Sequence, residues 1–175
     1  MTKHVTRTPG LSHARLRELL NYDPETGVFT WKVTTGNRVR AGARAGSVTD
    51  KGYRLIQIDG VRYQEHRLAF LYMTGAVPAL DIDHINRIGS DNRWVNLRPA
   101  TKTQNQGNVG LLKTNTSGVR GVYWDAKRSK FHARIRINDR SKHIGYFGSI
   151  HEAAAAYAAA AKKHFGADFA PTSKT

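Results

Sequence analysis

Short runs of apolar residues, alternating or helically spaced, divide the first half of the chain into small elements. Asp59-Gly60 lies between two strand-like runs, 53–58 and 61–65, and is a strong signal for a hairpin turn. Apolar residues at helical spacing then predict a helix over 66–74. The pattern therefore indicates a β-hairpin that leads directly into a helix.

The next stretch, residues 80–108, is polar and rich in turn-forming residues. Alternation over 80–85 predicts a short strand, and 97–100 can form a second strand after an Asn-rich loop. Thr101 and Gln104 have the spacing of a capping box, which begins a helix. Strand, loop, strand and helix together predict a second hairpin with a helix packed over it.

Acidic, amide and imidazole side chains concentrate in this hairpin and helix. His84 is expected on the strand and can take a proton from water near neutral pH. Asp83 and Asn105 present oxygen, the ligand type that Mg²⁺ and Mn²⁺ prefer. Asn96 can accept from the imidazole N–H, which would fix its tautomer, or can brace the loop. A metal ion beside an activated water is the arrangement that breaks a phosphodiester.

A second pattern begins after residue 117. Three strand-like runs, 118–124, 131–137 and 142–147, are separated by polar turns, and the middle run alternates apolar with cationic residues. Ser149 and Glu152 form a capping box for a final helix. The stripe of this helix expected to cover the sheet is Ala154, Tyr157, Ala158, Ala161 and Phe165. The chain is therefore predicted to be α+β, ending in a three-stranded antiparallel sheet packed on one helix.

Composition narrows the class of partner. The 175 residues include 28 Lys and Arg against 13 Asp and Glu, a formal charge of +15, which favours a polyanion such as nucleic acid. No apolar run approaches the length of a membrane span, and the N-terminus lacks a secretory core. Without Cys there is neither a disulfide nor a thiolate zinc site. We expect a soluble, cytoplasmic protein with no membrane partner.

The polar stretch carries a recognisable motif. D-H-x-N, D-N-R-x-x-N-L-R and T-x-x-x-N-x-x-N follow in order and resemble the HNH (ββα-metal) nuclease motif of phage and intron-borne proteins, in the variant with a final Asn. The resemblance implies that Asp83 and Asn105 hold Mg²⁺ or Mn²⁺, that His84 is the general base and that Asn96 orients it. The preceding hairpin and helix are also similar to those of phage members.

The C-terminal runs resemble another family. S-G-V-R-G-V-Y-W, F-H-A-R-I-R-I and H-I-G-Y-F-G-S-I-H-E-A-A-A-A-Y are similar to the ethylene-responsive-factor (AP-two/ERF) DNA-binding domain. The positions that match DNA-contacting strand residues of that family are Arg120, Tyr123, Arg134, Arg136 and Lys142. The Arg and Trp set of the plant family is only partly kept, so its base preference does not transfer. The alternative is an ordinary basic sheet face.

Together these features predict a homing-like endonuclease of two domains. Residues 1–108 form the HNH nuclease domain, 109–116 a linker and 117–175 the AP-two/ERF-like domain. Arg87 and Arg98 are near enough in sequence to His84 to clamp flanking phosphates. A monomer acting on double-stranded DNA in a bacterial host cell, encoded by a phage or mobile element, fits the motifs.

Two other functions compete with this prediction. The protein could be a non-catalytic transcription regulator with a decayed nuclease domain, although every expected polar ligand is present. It could also bind RNA, because sheets with exposed aromatic residues bind single strands. His66, a second candidate for a catalytic histidine, is assigned a packing or hydrogen-bonding role because no comparable set of partners recurs beside it.

Overall fold

A computed structural model describes residues 10–36, 39–111 and 114–169. By its contacts the chain divides into two compact units, Met1–Pro99 and Ala100–Thr175. Both units are mixtures of short helices and small sheets, which agrees with the predicted α+β class. Within the described residues no helix is long and apolar enough to cross a membrane.

The first unit consists mainly of two helices and three small sheets. Its elements in order are α1 (His13–Leu19), β1 (Leu20–Asp23), β2 (Val28–Trp31), β3 (Ser47–Val48), β4 (Arg54–Ile58), β5 (Val61–Gln64), α2 (Glu65–Thr74), β6 (Asp81–His84), a 3-10 turn (Trp94–Asn96) and β7 (Leu97–Ala100). The sheets are β1–β2, β3–β4–β5 and β6–β7. Asp59 and Gly60 have positive φ angles, 48° and 81°, and make the predicted tight turn between β4 and β5.

One apolar core supports the β6–β7 sheet. Leu16, Phe29 and Leu68 are fully buried at its centre, and Ile82 of β6 and Leu97 of β7 belong to the same cluster. Both strands of the sheet are therefore anchored in the core, which fixes the backbone that carries Asp83 and His84.

A buried ion pair joins α2 to β4, the central strand of the β3–β4–β5 sheet. Arg54 Nε lies 2.6 Å from Glu65 Oε2, and the Glu65 side chain is fully buried. Arg54 also donates to the carbonyl of Ala45 at 3.1 Å. Burial raises the pKa of Glu65, while the adjacent Arg54 acts in the opposite direction. The pair therefore depends on both partners, since either charge alone would be costly to bury.

The second unit contains one sheet covered by a helix. Its elements are α3 (Lys102–Gly107), β8 (Val122–Asp125), β9 (Lys130–Ile137), β10 (Arg140–Phe147), α4 (Ile150–Phe165) and a 3-10 turn (Ala167–Phe169). The strand order is β10–β9–β8, and both pairs are antiparallel, as predicted. The predicted capping boxes are present at the starts of both helices, at Thr101 with Gln104 and at Ser149 with Glu152.

The stripe of α4 that faces the sheet differs in part from the prediction. The residues it buries are Ala153, Tyr157, Ala161 and Phe165, each four positions after the last. Ala154 is only half-buried and Ala158 is exposed, so both assignments were wrong. The apolar partners from the sheet include Ala133, Ile135 and Ile137 of β9, the alternating set that the sequence indicated.

Helix α3 packs within the second unit. A Cβ atom at Gly107 would lie 2.7 Å from the Phe165 ring, so α3 approaches α4 closely only because this residue is glycine. Thr103 Oγ1 also donates to Asn138 Oδ1 at 2.7 Å. The ββα arrangement and the domain boundaries at 108 and 116 stay predictions. Residues 1–9, 37–38, 112–113 and 170–175, which fall in the predicted domains and linker, lie outside the described residues.

Candidate active site

The imidazole of His84 is buried and held by an amide. His84 is the last residue of β6, and its Nε2 lies 3.0 Å from Asn92 Oδ1. An amide oxygen only accepts hydrogen bonds, so Nε2 carries the proton and Nδ1 is the basic nitrogen. Asn92 is itself fixed, because its backbone carbonyl accepts from the Tyr22 hydroxyl at 2.7 Å. The core thus sets the tautomer and orientation of the imidazole.

Asn92 was not among the predicted site residues. Asn96 had been expected either to accept from the imidazole or to brace the loop, and the structure shows the second arrangement. Asn96 Oδ1 accepts from the backbone N–H of Asn86 at 3.0 Å, and its Nδ2 donates to the backbone carbonyl of Asp91 at 2.7 Å. Asn96 therefore closes the loop that presents Asn92 to His84.

Asp91 stiffens the same loop. Its carboxylate accepts two hydrogen bonds from the Arg93 guanidinium, at 2.9 and 2.7 Å, and one from Asn86 Nδ2 at 2.6 Å. The hydrogen bonds from Arg93 are the main cause that lowers the pKa of Asp91 to about 2. The loop carboxylate consequently stays ionised across the physiological range.

Asp83, the predicted metal ligand, is buried and paired with a cation. Arg98 Nε and Nη2 both lie 2.8 Å from Asp83 Oδ2. Arg98 had been predicted to clamp a DNA phosphate, but in the structure its guanidinium binds this carboxylate. The neighbouring positions of Asp83 and His84 on β6 bring the carboxylate and the imidazole into one part of the unit.

Two other predicted residues lie on turns or helices. Arg87 is exposed, has a φ of 65° and donates its backbone N–H to the carbonyl of His84 at 2.9 Å, so it stands at the turn that follows the imidazole. Asn105 lies on α3 and is half-buried. The roles of Arg87 and Asn105 stay predictions.

A second imidazole and a phenol ring surround His84. The ring of His66 lies 5.0 Å from that of His84, at an interplanar angle of 89°. The Tyr53 ring is 6.0 Å from His66 and 5.9 Å from His84. Burial lowers the pKa of His66 to about 3, with smaller contributions from His84 and Arg67. His66 is therefore a neutral imidazole at physiological pH.

The donor chemistry fits a hard divalent cation. Over residues 10–36, 39–111 and 114–169, no three His, Asp or Glu side chains group closely enough to hold a metal ion. Mg²⁺, however, commonly uses only one or two protein carboxylates and takes its other ligands from water and substrate phosphates. The Asp83 carboxylate, one residue before the candidate base in the chain, is a ligand of that type.

The C-terminal sheet carries most of the predicted DNA contacts. The guanidinium of Arg134 lies 4.4 Å from the Tyr123 ring centre. Arg136 makes an exposed 3.5 Å ion pair with Asp139, and Lys142 is exposed. Arg134 and Arg136 lie on the face opposite α4, where a polyanion can reach them, whereas Lys142 pairs with a buried apolar residue of β9 and therefore lies on the other face of the sheet.

Arg120 has a structural contact that the sequence did not indicate. Its guanidinium donates to the backbone carbonyls of Gln106 and Gly107 at the end of α3. A cation at a helix C-terminus satisfies carbonyls that lack partners within the helix. Arg120 thus ties the connector before the sheet to α3, and its predicted contact with DNA is untested.

Two histidines lie side by side on the sheet face. His132 Nε2 and His143 Nδ1 are 2.9 Å apart, and the Tyr146 ring stacks on His132 at 4.9 Å. Arg128 lies over Tyr146 at 4.8 Å. Burial lowers the pKa of His132, followed in effect by the charges of His143 and Arg134. The sequence did not single out this pair, because its members lie on different strands.

Comparison with known families agrees with the motif. A family model described as HNH endonuclease matches residues 63–106, which include α2, the β6–β7 sheet and most of α3. These residues are therefore similar to an HNH endonuclease domain. No curated protein and no solved structure matches the chain. The family match ends before β8, so the likeness of the C-terminal sheet to AP-two/ERF domains stays a prediction.

Proposed function

We propose that this protein is a metal-dependent, homing-like endonuclease that nicks or cleaves duplex DNA. The observation that carries the proposal is the fixed imidazole of His84, one residue after the buried carboxylate of Asp83, inside the residues that match the HNH endonuclease family. A nuclease requires a base for water and an oxygen ligand for a cation, and this strand supplies both types of group.

His84 is assigned the role of general base. Because Nε2 donates to Asn92, Nδ1 receives the proton from a water molecule. The water oxygen forms a bond to phosphorus as the bond from phosphorus to the 3′ oxygen breaks. The 3′ oxygen then takes a proton from solvent, so the products carry a 5′-phosphate and a 3′-hydroxyl.

Asp83 is assigned the binding of Mg²⁺ or Mn²⁺, with Asn105 as the second oxygen ligand by family resemblance. When bound, such an ion stabilises negative charge on the phosphate and the leaving oxygen. Since Arg98 holds one oxygen of the Asp83 carboxylate, we assign Arg98 to orienting this ligand. Arg87, exposed at the turn after His84, remains the candidate for contact with a flanking phosphate.

The C-terminal sheet is proposed to hold the protein on DNA. Its outer face presents Arg134 and Arg136 beside Tyr123, and a strand that carries Arg can read guanine edges in the major groove. Lys142, exposed on the other face of the same sheet, is proposed to contact a phosphate. Phosphate contacts from the same face would supply affinity without sequence preference. The formal charge of +15 supports a polyanionic partner of this kind.

Cleavage of a plasmid library with random inserts tests the nuclease proposal. We expect nicked or linear products with Mg²⁺ or Mn²⁺ and none with EDTA, because the cation supplies charge stabilisation that the side chains do not replace. Mapped product ends should carry a 5′-phosphate. Binding without cleavage under every metal condition would instead identify a non-catalytic DNA-binding protein, and stronger binding to RNA than to duplex DNA at equal salt would contradict the proposed substrate.

DNA affinity is expected to increase as the pH falls. In the free protein, burial lowers the pKa of His132. DNA phosphates close to the imidazole would raise that pKa, so the protein–DNA complex binds more protons than the free protein does. The increase is at most about tenfold per pH unit for each proton taken up. Dissociation constants between pH 5.5 and 7.5 at constant salt should show the dependence in the parent protein and a weaker one in His132→Gln. The matched control is His151→Gln, which replaces an exposed histidine of α4 and should keep the pH dependence of the parent protein.

A further inference from the structure

His66 contacts the proposed base, yet the proposed chemistry does not use it. It lies on α2, is 5% exposed and stands perpendicular to the His84 ring at 5.0 Å. Tyr53 completes a cluster of three rings. The side chain therefore restricts how far the imidazole of His84 can rotate.

A core role alone does not account for a histidine at this position. In the part of the chain that the structure describes, His66 Nδ1 is buried without a hydrogen-bond partner. A buried polar atom without a partner lowers stability, whereas Phe would fill similar space with no such atom. Four other buried residues of α2 are apolar, and the buried polar groups of Glu65 and Tyr72 each have a partner, Arg54 and Asn21. Local features that cost stability are characteristic of functional sites.

The electrostatic state of His66 suits the neighbour of a base. Burial lowers the pKa of His66 to about 3, so the ring stays neutral at working pH. It consequently adds no like charge beside His84 when that imidazole accepts a proton. A Lys or Arg in the same place would oppose the proton transfer.

We infer that His66 is a positioning residue, whose polar ring holds the imidazole of His84 in the orientation required for proton transfer. The inference rests on the proposed nuclease function and goes beyond it, because neither the motif nor the proposed mechanism gives His66 a part. Asn92 fixes Nε2 of His84 by a hydrogen bond, and His66 fixes the plane of the same ring.

The test is His66→Phe, which keeps an aromatic ring and removes both nitrogens. We expect kcat for nicking to fall about tenfold or more, because small displacements of a catalytic group are costly, while KM for DNA stays unchanged. The free energy of unfolding should not decrease, since an unpartnered buried atom is removed. Tyr72→Phe, which also removes a polar atom from a buried ring of α2, is the control and should keep the parent kcat.

Nitrogen NMR of the His84 ring separates this inference from the nuclease proposal. In the parent protein we expect one tautomer, protonated at Nε2, and in His66→Phe a mixture of tautomers or broadened signals. Parent-like kcat together with unchanged His84 signals in His66→Phe would overturn the inference. A parent protein that cleaves no DNA with any divalent ion would contradict the proposed function instead, and the NMR comparison would still decide whether His66 orients His84.

Discussion

Replacing His84 by Ala is expected to reduce the rate of DNA nicking by about 10²- to 10⁴-fold, the usual cost of losing a general base. The variant should bind DNA as the parent protein does, because the predicted binding face lies on the C-terminal sheet. The measurement is single-turnover nicking, with enzyme in excess, of a plasmid that the parent protein cuts. The loss should appear in the rate constant and not in the concentration of protein needed for half-saturation.

The control for that prediction is His151→Ala, which removes an exposed imidazole from α4 and should leave nicking unchanged. A parent-like rate for His84→Ala would show that another group activates the water. Asn92→Ala is expected to lower the rate as well, but by less, because it removes the orientation of the imidazole and leaves the base in place.

Replacing Arg54 by Met is expected to reduce the free energy of unfolding by about 3–5 kcal/mol. The substitution leaves the Glu65 carboxylate fully buried without its cation. Burial already raises the pKa of Glu65, and removing Arg54 raises it further. Since the folded pKa then lies above the unfolded value, the variant is least stable at high pH and recovers stability as Glu65 protonates on acidification.

Chemical denaturation at pH 5.5 and pH 8 measures this effect. Arg54→Met with Glu65→Leu should recover much of the stability lost in the single variant, because no unpaired charge remains in the core. Arg15→Met is the matched control. Its partners, Glu18 and Asp59, are exposed, so this change should cost far less stability than Arg54→Met. A loss of similar size in Arg15→Met and Arg54→Met would contradict the argument from burial.

Elements with local signals were predicted well from the sequence. The tight turn at Asp59 and Gly60 and the two capping boxes depend on residues within three positions of each other, so no tertiary information is required. The prediction of which α4 residues face the sheet was partly wrong, because the local sequence of this helix carries little signal. Eight of its sixteen residues are alanine, in two runs of four separated by Tyr157, which gives little contrast between the faces of the helix.

The candidate site was predictable in its chemistry but not in its contacts. The motif identified Asp83 and His84, yet Asn92 as the partner of the imidazole depends on how the intervening loop folds. Arg98 was expected to contact a DNA phosphate because it is near His84 in sequence, and only the structure shows it paired with Asp83. Such pairings form between residues that the fold brings together, and a linear pattern does not contain them.

The hydrogen bond from Tyr22 to the Asn92 backbone has an evolutionary consequence. It joins the apolar interior to the loop that steers the imidazole, across 70 positions of sequence. Changes that repack the interior around Tyr22 will therefore alter turnover before they cause unfolding. If the proposed function holds, selection for stability and selection for cutting speed would act in this part of the chain on the same few side chains.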